Sequence, residues 1–436
     1  MLLTVLFFLA ISMTIVLGIA IPILKQVRIS KEILNSKASY FLANGKIEDA
    51  IYRLKSGKQV ASSENGDGNG GTVTTTVANT PTGKQIIATT NVAGTVRKIQ
   101  ADVLLGTGIS FHYGIQSGRG GFVMQNSSSV TGNVFSGGTI TGTGNTVNCN
   151  GSSGKGNCIY GDLVSAGSSG LIYGVHATSS MFAHTIGNSG SNTTVDKDAY
   201  YQTVTNTTVS GTSHPSSADQ DIVPLPISDA QIANWEIDAA AGGNVTCTNG
   251  LYTINSDVTI GPKKIPCDLN ITGTAGGITV TVSGPIWVVG NIDTSQKSTI
   301  KMSSSLGGQN VAVIADNPSA STTSGIIDIS QNVSFQGSGS PGSYVFMISQ
   351  NRCAENYPST CSTDALSMNN GASALVAYAS HGQITLQQSV SIKEVTAYKI
   401  ILQNTANVTY DTGLPSVLFE SGPAGGYDIV DWFETQ

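Results

Sequence analysis

The stretch VTGNVFSGG at residues 130–138 recurs in degenerate form as IYGDLVSAG at 159–167 and VSGPIWVVG at 282–290. Each copy places an apolar residue first and fifth and a glycine third and ninth. Residues two or four apart on a strand point to one side, so the apolar pair faces a core while glycine permits the bend between short strands. Stacked units of this kind describe a parallel β-solenoid. The first two copies start 29 residues apart, longer than a lean rung, and Cys149 and Cys158 fall between them. That spacing predicts an inserted loop pinned by a disulfide.

Composition agrees with a β-rich extracellular chain. Of 436 residues only 11% are charged, against about 25% in an ordinary soluble domain, and glycine contributes 51. Ser, Thr, Asn and Gly supply the polarity instead; these residues suit tight turns and pleated surfaces. The 39% of hydrophobic residues, gathered in Val/Ile clusters, argue against disorder. Net charge is −6, and only thirteen Lys or Arg follow Lys58, too few for a nucleic-acid-binding face.

The six cysteines fall as Cys149/Cys158, Cys247/Cys267 and Cys353/Cys361, none in a zinc-type C-x-x-C pattern. Local disulfides are the simplest expectation. Such bridges persist in oxidising compartments and place the bulk of the chain outside the cytoplasm.

Residues 1–24, MLLTVLFFLAISMTIVLGIAIPIL, carry no charge and would span about 36 Å as a helix, enough for a hydrocarbon core of roughly 30 Å. A cleavable signal peptide is the competing reading, with Gly18 and Ala20 near the cut. Against it, the run is long and lacks a basic start, and the helical pattern continues past the cut. Val27, Ile33, Leu34, Ala38, Phe41, Ala50, Ile51 and Leu54 recur at three- and four-residue steps. One helix results, apolar first and amphipathic later. Lys25, Arg28 and Lys31 alone would favour the opposite orientation, so the cysteines set the topology.

The segment Ser39-Tyr40-Phe41-Leu42-Ala43, followed by IEDAIYRL at 47–54, resembles the N-terminal region of PilX-like and other type IV pilin proteins. The likeness covers about the first 58 residues. It implies a long first helix that packs into a pilus, a following antiparallel meander, and pilin or pilus-assembly partners. Val5 stands where major pilins usually carry Glu, which implies a minor or tip-located component.

Residues 59–71 read as a polar, Gly-rich connector, and TVTTTVAN (72–79), KQIIATTN (84–91) and TVRKIQADVLL (95–105) as a small antiparallel meander. A second strand array follows from VAVIAD (311–316) to ANVTYD (406–411). Between the arrays, residues 203–227 are rich in Thr, Ser and Pro. Ser228 and Gln231 then form a capping box for a short helix that stops at Gly242 and Gly243, burying Ile232, Trp235 and Ala239. This helix is expected to plug or brace an open stack end, where unpaired strand edges invite aggregation. The domain reading is a pilin-like helix (1–58), meander (59–106), first solenoid segment with linker (107–227), and short helix with second solenoid segment (228–436).

The chain contains no P-loop, H-E-x-x-H, G-x-S-x-G or EF-hand motif. His176 and His184 are the best ligand-like pair, but His176 follows Gly174 by two residues and is expected to point inward as a hydrogen-bonded core histidine. Asp196 and Asp198, with Asp219 and Asp221, are the only carboxylate grouping comparable to a glycan-cleaving site, and they are expected to be solvated loop charges or, next, a weak calcium site rather than catalytic. Phe182, Tyr200 and Tyr201 are too few to argue for a sugar platform. The expectation is therefore a non-enzymatic surface protein without cofactor, anchored in the membrane by its first helix, that meets other pilins and binds a surface glycan or protein. Two alternatives are a membrane-anchored β-helix carbohydrate-active enzyme and a polymerising scaffold, the latter opposed by the inserted loops.

Overall fold

The computed structural model describes residues 2–55, 60–68, 70–80, 83–105, 111–144, 149, 156–369, 376–410, 418–419 and 427–435. Gln59 and Asn69 of the connector, the boundary residues Lys58, Gly106 and Thr107, and Ala374, Leu375 and Asp411 of the C-terminal strands lie outside that set. The protein is mainly β, with a long N-terminal helix, an antiparallel sheet and large parallel sheets. It divides into two units: residues 1–106 with 427–436, and residues 107–426.

In the first unit, helix α1 (Leu2–Lys55) runs unbroken for 54 residues, through Pro22. At 1.5 Å per residue it is about 80 Å long. Only its last part finds a core. Ala43, Ile47, Ala50, Ile51 and Leu54 pack on Val73, Ile86, Ala88, Ile99, Ala101 and Val103 of the meander. Val27, Ile33, Leu34 and Phe41, which the helical pattern assigns to the same stripe, remain exposed. The meander runs β1 (Ser63–Gly68), β2 (Gly71–Thr80), β3 (Gly83–Val92) and β4 (Thr95–Leu105), each paired antiparallel with the next. Strand β1 occupies part of the stretch read as a connector. Its polar residues suit an edge strand, and Gly70, with φ +76°, turns the chain into β2. The closing strand Tyr427–Thr435 pairs antiparallel with β4, so it joins this sheet and not the second solenoid segment. Its Trp432 donates to Asn44 Oδ1 on α1 at 3.0 Å, and its Glu434 pairs with Arg97 at 2.6 Å.

The second unit is a three-sided parallel stack. Val134 pairs with Leu163, Leu163 with Met181 and Met181 with Ala199, a repeat of 18 residues in the last two steps. The first two repeat copies therefore stack in the register their alignment predicts. A second side stacks Ile140, Ile172 and Ile186, and a third stacks Val130, Ile159, Ala177 and Val195. All of these close on one buried interior. Glycine is needed where backbones nearly touch: a Cβ on Gly142 would lie 1.9 Å from the Gly174 carbonyl oxygen. Another corner is turned without glycine, by consecutive positive-φ pairs such as Gln331–Asn332, Gln388–Ser389, Asn404–Thr405 and Asn126–Ser127. Asn126 donates to Asn404 Oδ1 at 3.0 Å there; Asn tolerates this backbone region better than most residues because its side chain bonds locally.

The two arrays form one stack, out of chain order. Strand Glu394–Leu402 pairs in parallel with Ile115–Gln125, Val395 opposite Ile115 and Ile400 opposite Phe122. The C-terminal array thus ends directly beneath the first rung of the N-terminal array. From Pro215 at the top, the chain must return to the bottom before the C-terminal array can begin.

Candidate functional site

Two surfaces have the character of functional sites, one in each unit. On α1, Leu3 through Leu34 leave a nearly continuous apolar face in solvent, with Phe8 73% exposed. This is the one described helix long and apolar enough to cross a membrane. An apolar surface of that extent on a water-soluble protein would be an aggregation liability, so it calls for a lipid or protein partner.

In the second unit, one residue per rung points outward along a single sheet side, giving a column that includes Trp287, Ile314, Ile348, Tyr378, Thr396, Gln116, Phe135, Val164, Phe182, Tyr200 and His214. Strands such as VAVIAD and SYVFMIS are apolar on both sides because this column is largely covered. The cover is the return segment. Asp219 bonds His184 Nδ1 at 3.0 Å, the Gln220 carbonyl accepts from Gly167 N, Ile222 lies against Gly137 and Gly167, and the Pro224 carbonyl accepts from Gln116. The Tyr378 hydroxyl then donates to the Ile227 carbonyl and accepts from Ile227 N.

Helix α2 (Asp229–Ala241) follows, with the Ser228/Gln231 capping box formed and Ile232, Trp235 and Ala239 buried. Ile227, Ile232 and Trp235 join Phe111, Ala312, Ile314, Phe346, Ile348, Val376 and Tyr378 in a second core outside the stack. The helix therefore braces a side and does not plug an end, because its apolar stripe matches an apolar sheet face. The lower end is instead covered by the chain after α2, where Val245 N donates to the Lys264 carbonyl.

Charged groups gather under this cover. Asp229 accepts from Arg352 and His381 at 3.0 and 2.9 Å, and the other His381 ring nitrogen meets Glu355. Burial alone would raise the Asp229 carboxyl, but His381 and Arg352 hold it below its ordinary value. Further along α2, Glu236 faces Asp316; burial, and then the Asp316 charge, push Glu236 up to about 8. Glu394 is fully buried and lifted well above the usual carboxylate range by desolvation, with Thr396 donating to its Oε1. Nothing in the sequence motifs marks these residues. The available signal was the absence of polar alternation in the C-terminal strands, which implies that something covers them.

The carboxylates and histidines singled out from sequence are dispersed among structural duties. His176 is buried but lies between Cys158 and Thr194 in strand pairing, alternating with inward Ala177, so it points outward. The expected inward placement is corrected: Met181, not His176, occupies the Leu163 column. His176 instead accepts from Cys149 N at 3.3 Å and meets Asp196 Oδ1 at 2.9 Å. Asp198 caps Thr212 N at 2.8 Å, and Asp219 holds His184. No shared acid–base pair arises from them. Phe182, Tyr200 and His214 stack with centroids 4.5 and 4.3 Å apart and planes 5° and 6° from parallel. Tyr200 has a ring on each face, and Phe182 and His214 each stack one face on it; Tyr201 is buried in the stack. Cys149–Cys158, Cys247–Cys267 and Cys353–Cys361 are bridged. Among the described residues, no three or more His, Cys, Asp or Glu side chains group as metal ligands.

No protein-family model and no curated protein matches the chain. Among solved structures, the competence-associated pilin ComZ from Thermus thermophilus superposes with a TM-score of 0.42 and 10% identity, covering 92% of this chain and 96% of that one. A superposition that loose fixes no shared property.

Proposed function

We propose that this protein is a membrane-anchored, pilus-associated surface protein, a PilX-like minor pilin or pilus-assembly component, that carries its solenoid outside the cell for adhesion or partner binding. The supporting observation is the division of α1: an apolar first part that joins no core among the described residues, and a second part packed on a meander. The first part would sit in the bilayer or among other pilins; the second would hold the remainder at the membrane surface. Three bridged cysteine pairs support an oxidising compartment for the rest of the chain.

Deleting residues 1–24 is expected to release a soluble, monomeric, disulfide-bonded fragment, while the full chain fractionates with membranes or pili. Recovery of the full chain from the cytosol would overturn the placement. If a glycan is turned over and that turnover vanishes in Asp196→Ala/Asp198→Ala, the membrane-anchored carbohydrate-active enzyme replaces this reading.

A further inference from the structure

The return segment and α2 are joined to the stack by groups whose charges do not balance. At the start of α2, Asp229 has two nitrogen partners in Arg352 and His381. At its middle, Glu236 faces Asp316, carboxyl to carboxyl, at the half-buried junction of α2 with the stack. Glu236 Oε1 is buried without a partner. The nearby cations are drawn elsewhere: Lys264, which faces Glu236, lies 3.8 Å over the Trp287 ring, and Arg352, which faces Asp316, is bonded to Asp229. Two carboxyl groups in that position are compatible only if one proton lies between them.

We propose that residues 220–241 form a clasp over the outward sheet face, closed by the proton that Glu236 and Asp316 share and opened when that proton leaves. Opening would uncover Ala312, Ile314, Phe346, Ile348, Val376 and Tyr378, an apolar strip running across three strands of the stack.

The direction of the pH dependence follows from linkage. In an open clasp Glu236 is hydrated and releases its proton near its ordinary value of 4.5, whereas in the closed clasp it holds the proton up to about 8. Closure is therefore firmest below about pH 4.5 and weakens as pH rises to about 8, where the dependence levels off. Asp229 acts oppositely: its value is lowered on closure, so its contribution is present above its ordinary 3.8 and fades only in stronger acid. The two windows do not overlap, so between about pH 5 and 8 the part of the slope that an amide variant removes belongs to Glu236 with Asp316, apart from anything contributed where His381 meets Asp229 and Glu355.

Amide hydrogen exchange on the full-length chain in detergent, corrected for intrinsic rates, tests this directly. Between about pH 5.5 and 8, the opening equilibrium of peptides in 225–241 should rise roughly tenfold or more, while interior peptides around Leu163 and Met181 stay level. Glu236→Gln replaces the proton with an amide donor and should leave the clasp closed and flat across that range. Asp316→Asn serves the same purpose should the first variant fail to fold. A flat wild-type profile, an opening that decreases with pH, or a slope as steep in either amide variant as in wild type would each overturn the proposal.

Discussion

Replacing Tyr378 with Phe isolates one contact between the return segment and the stack. The ring sits in the outer core beside Phe111, Phe346 and Ile348, and Phe keeps that packing. What is lost is a hydroxyl that both donates to the Ile227 carbonyl and accepts from Ile227 N. Burial pushes this phenol above its ordinary range, so it remains a neutral donor at any working pH. Removing it strands a backbone N–H and C=O, each costing about 1–3 kcal/mol if left dry, with some relief because the segment can shift toward water. A loss of roughly 2–4 kcal/mol follows, or about 30- to 1,000-fold in the local opening equilibrium. Hydrogen exchange of residues 225–232 should show that increase, and denaturant unfolding should move in midpoint without a change in slope. An effect below about 0.5 kcal/mol, with unchanged protection at Ile227, would mean that the return segment is held by apolar contact alone.

Other substitutions separate the two units and the stack's own rules. Gly142→Ala drives a methyl into the Gly174 carbonyl and should prevent folding of the second unit, read as loss of the disulfide-bonded product. Gly45→Ala meets nothing within 4 Å on an exposed helical turn and should stabilise the first unit by about 0.5–1 kcal/mol in thermal unfolding. Reduction of Cys247–Cys267, which closes a separation of 20 residues at the lower end, should cost about 3 kcal/mol and first loosen the peptides around Leu251–Ile254. Asp293 and Asp328 are adjacent on neighbouring strands, and burial, then the Asp328 charge, raises Asp293. Asp328→Asn keeps an acceptor for Ser367 and should gain a few tenths of a kcal/mol over wild type, a difference that appears as pH rises above about 4 and vanishes in stronger acid.

The solenoid itself was legible because its signal is local. Apolar residues at fixed offsets with glycine between them require only that neighbouring rungs match, and Val134, Leu163 and Met181 match in both readings. The order of rungs was not legible. Nothing in the strand Glu394–Leu402 names Ile115–Gln125 as its neighbour, since any rung of the right length and polarity could pair there. Helix α2 could be placed from its cap and its stripe of Ile232, Trp235 and Ala239, yet its partner could not, because an apolar stripe fits any apolar face. His176 was misdirected for a related reason. Counting from Gly174 assumes one glycine per corner, while this chain also turns on pairs such as Asn404–Thr405. The perturbed carboxyls of Glu236, Asp316 and Glu394 lie far apart in sequence and become neighbours of buried groups only once the return segment is laid down.

The pairing of Val395 with Ile115 also governs how this molecule can be made. Rungs from Ile115 to Pro215 can assemble as soon as they emerge, but their lower border stays naked until some 180 further residues have been delivered. Through that interval Ile115–Gln125 offers free backbone donors and acceptors to any passing strand. Folding must therefore either outpace such encounters or shelter that border, and a ribosome stall placed between Pro215 and Glu394 should be far more harmful than one placed after Leu402.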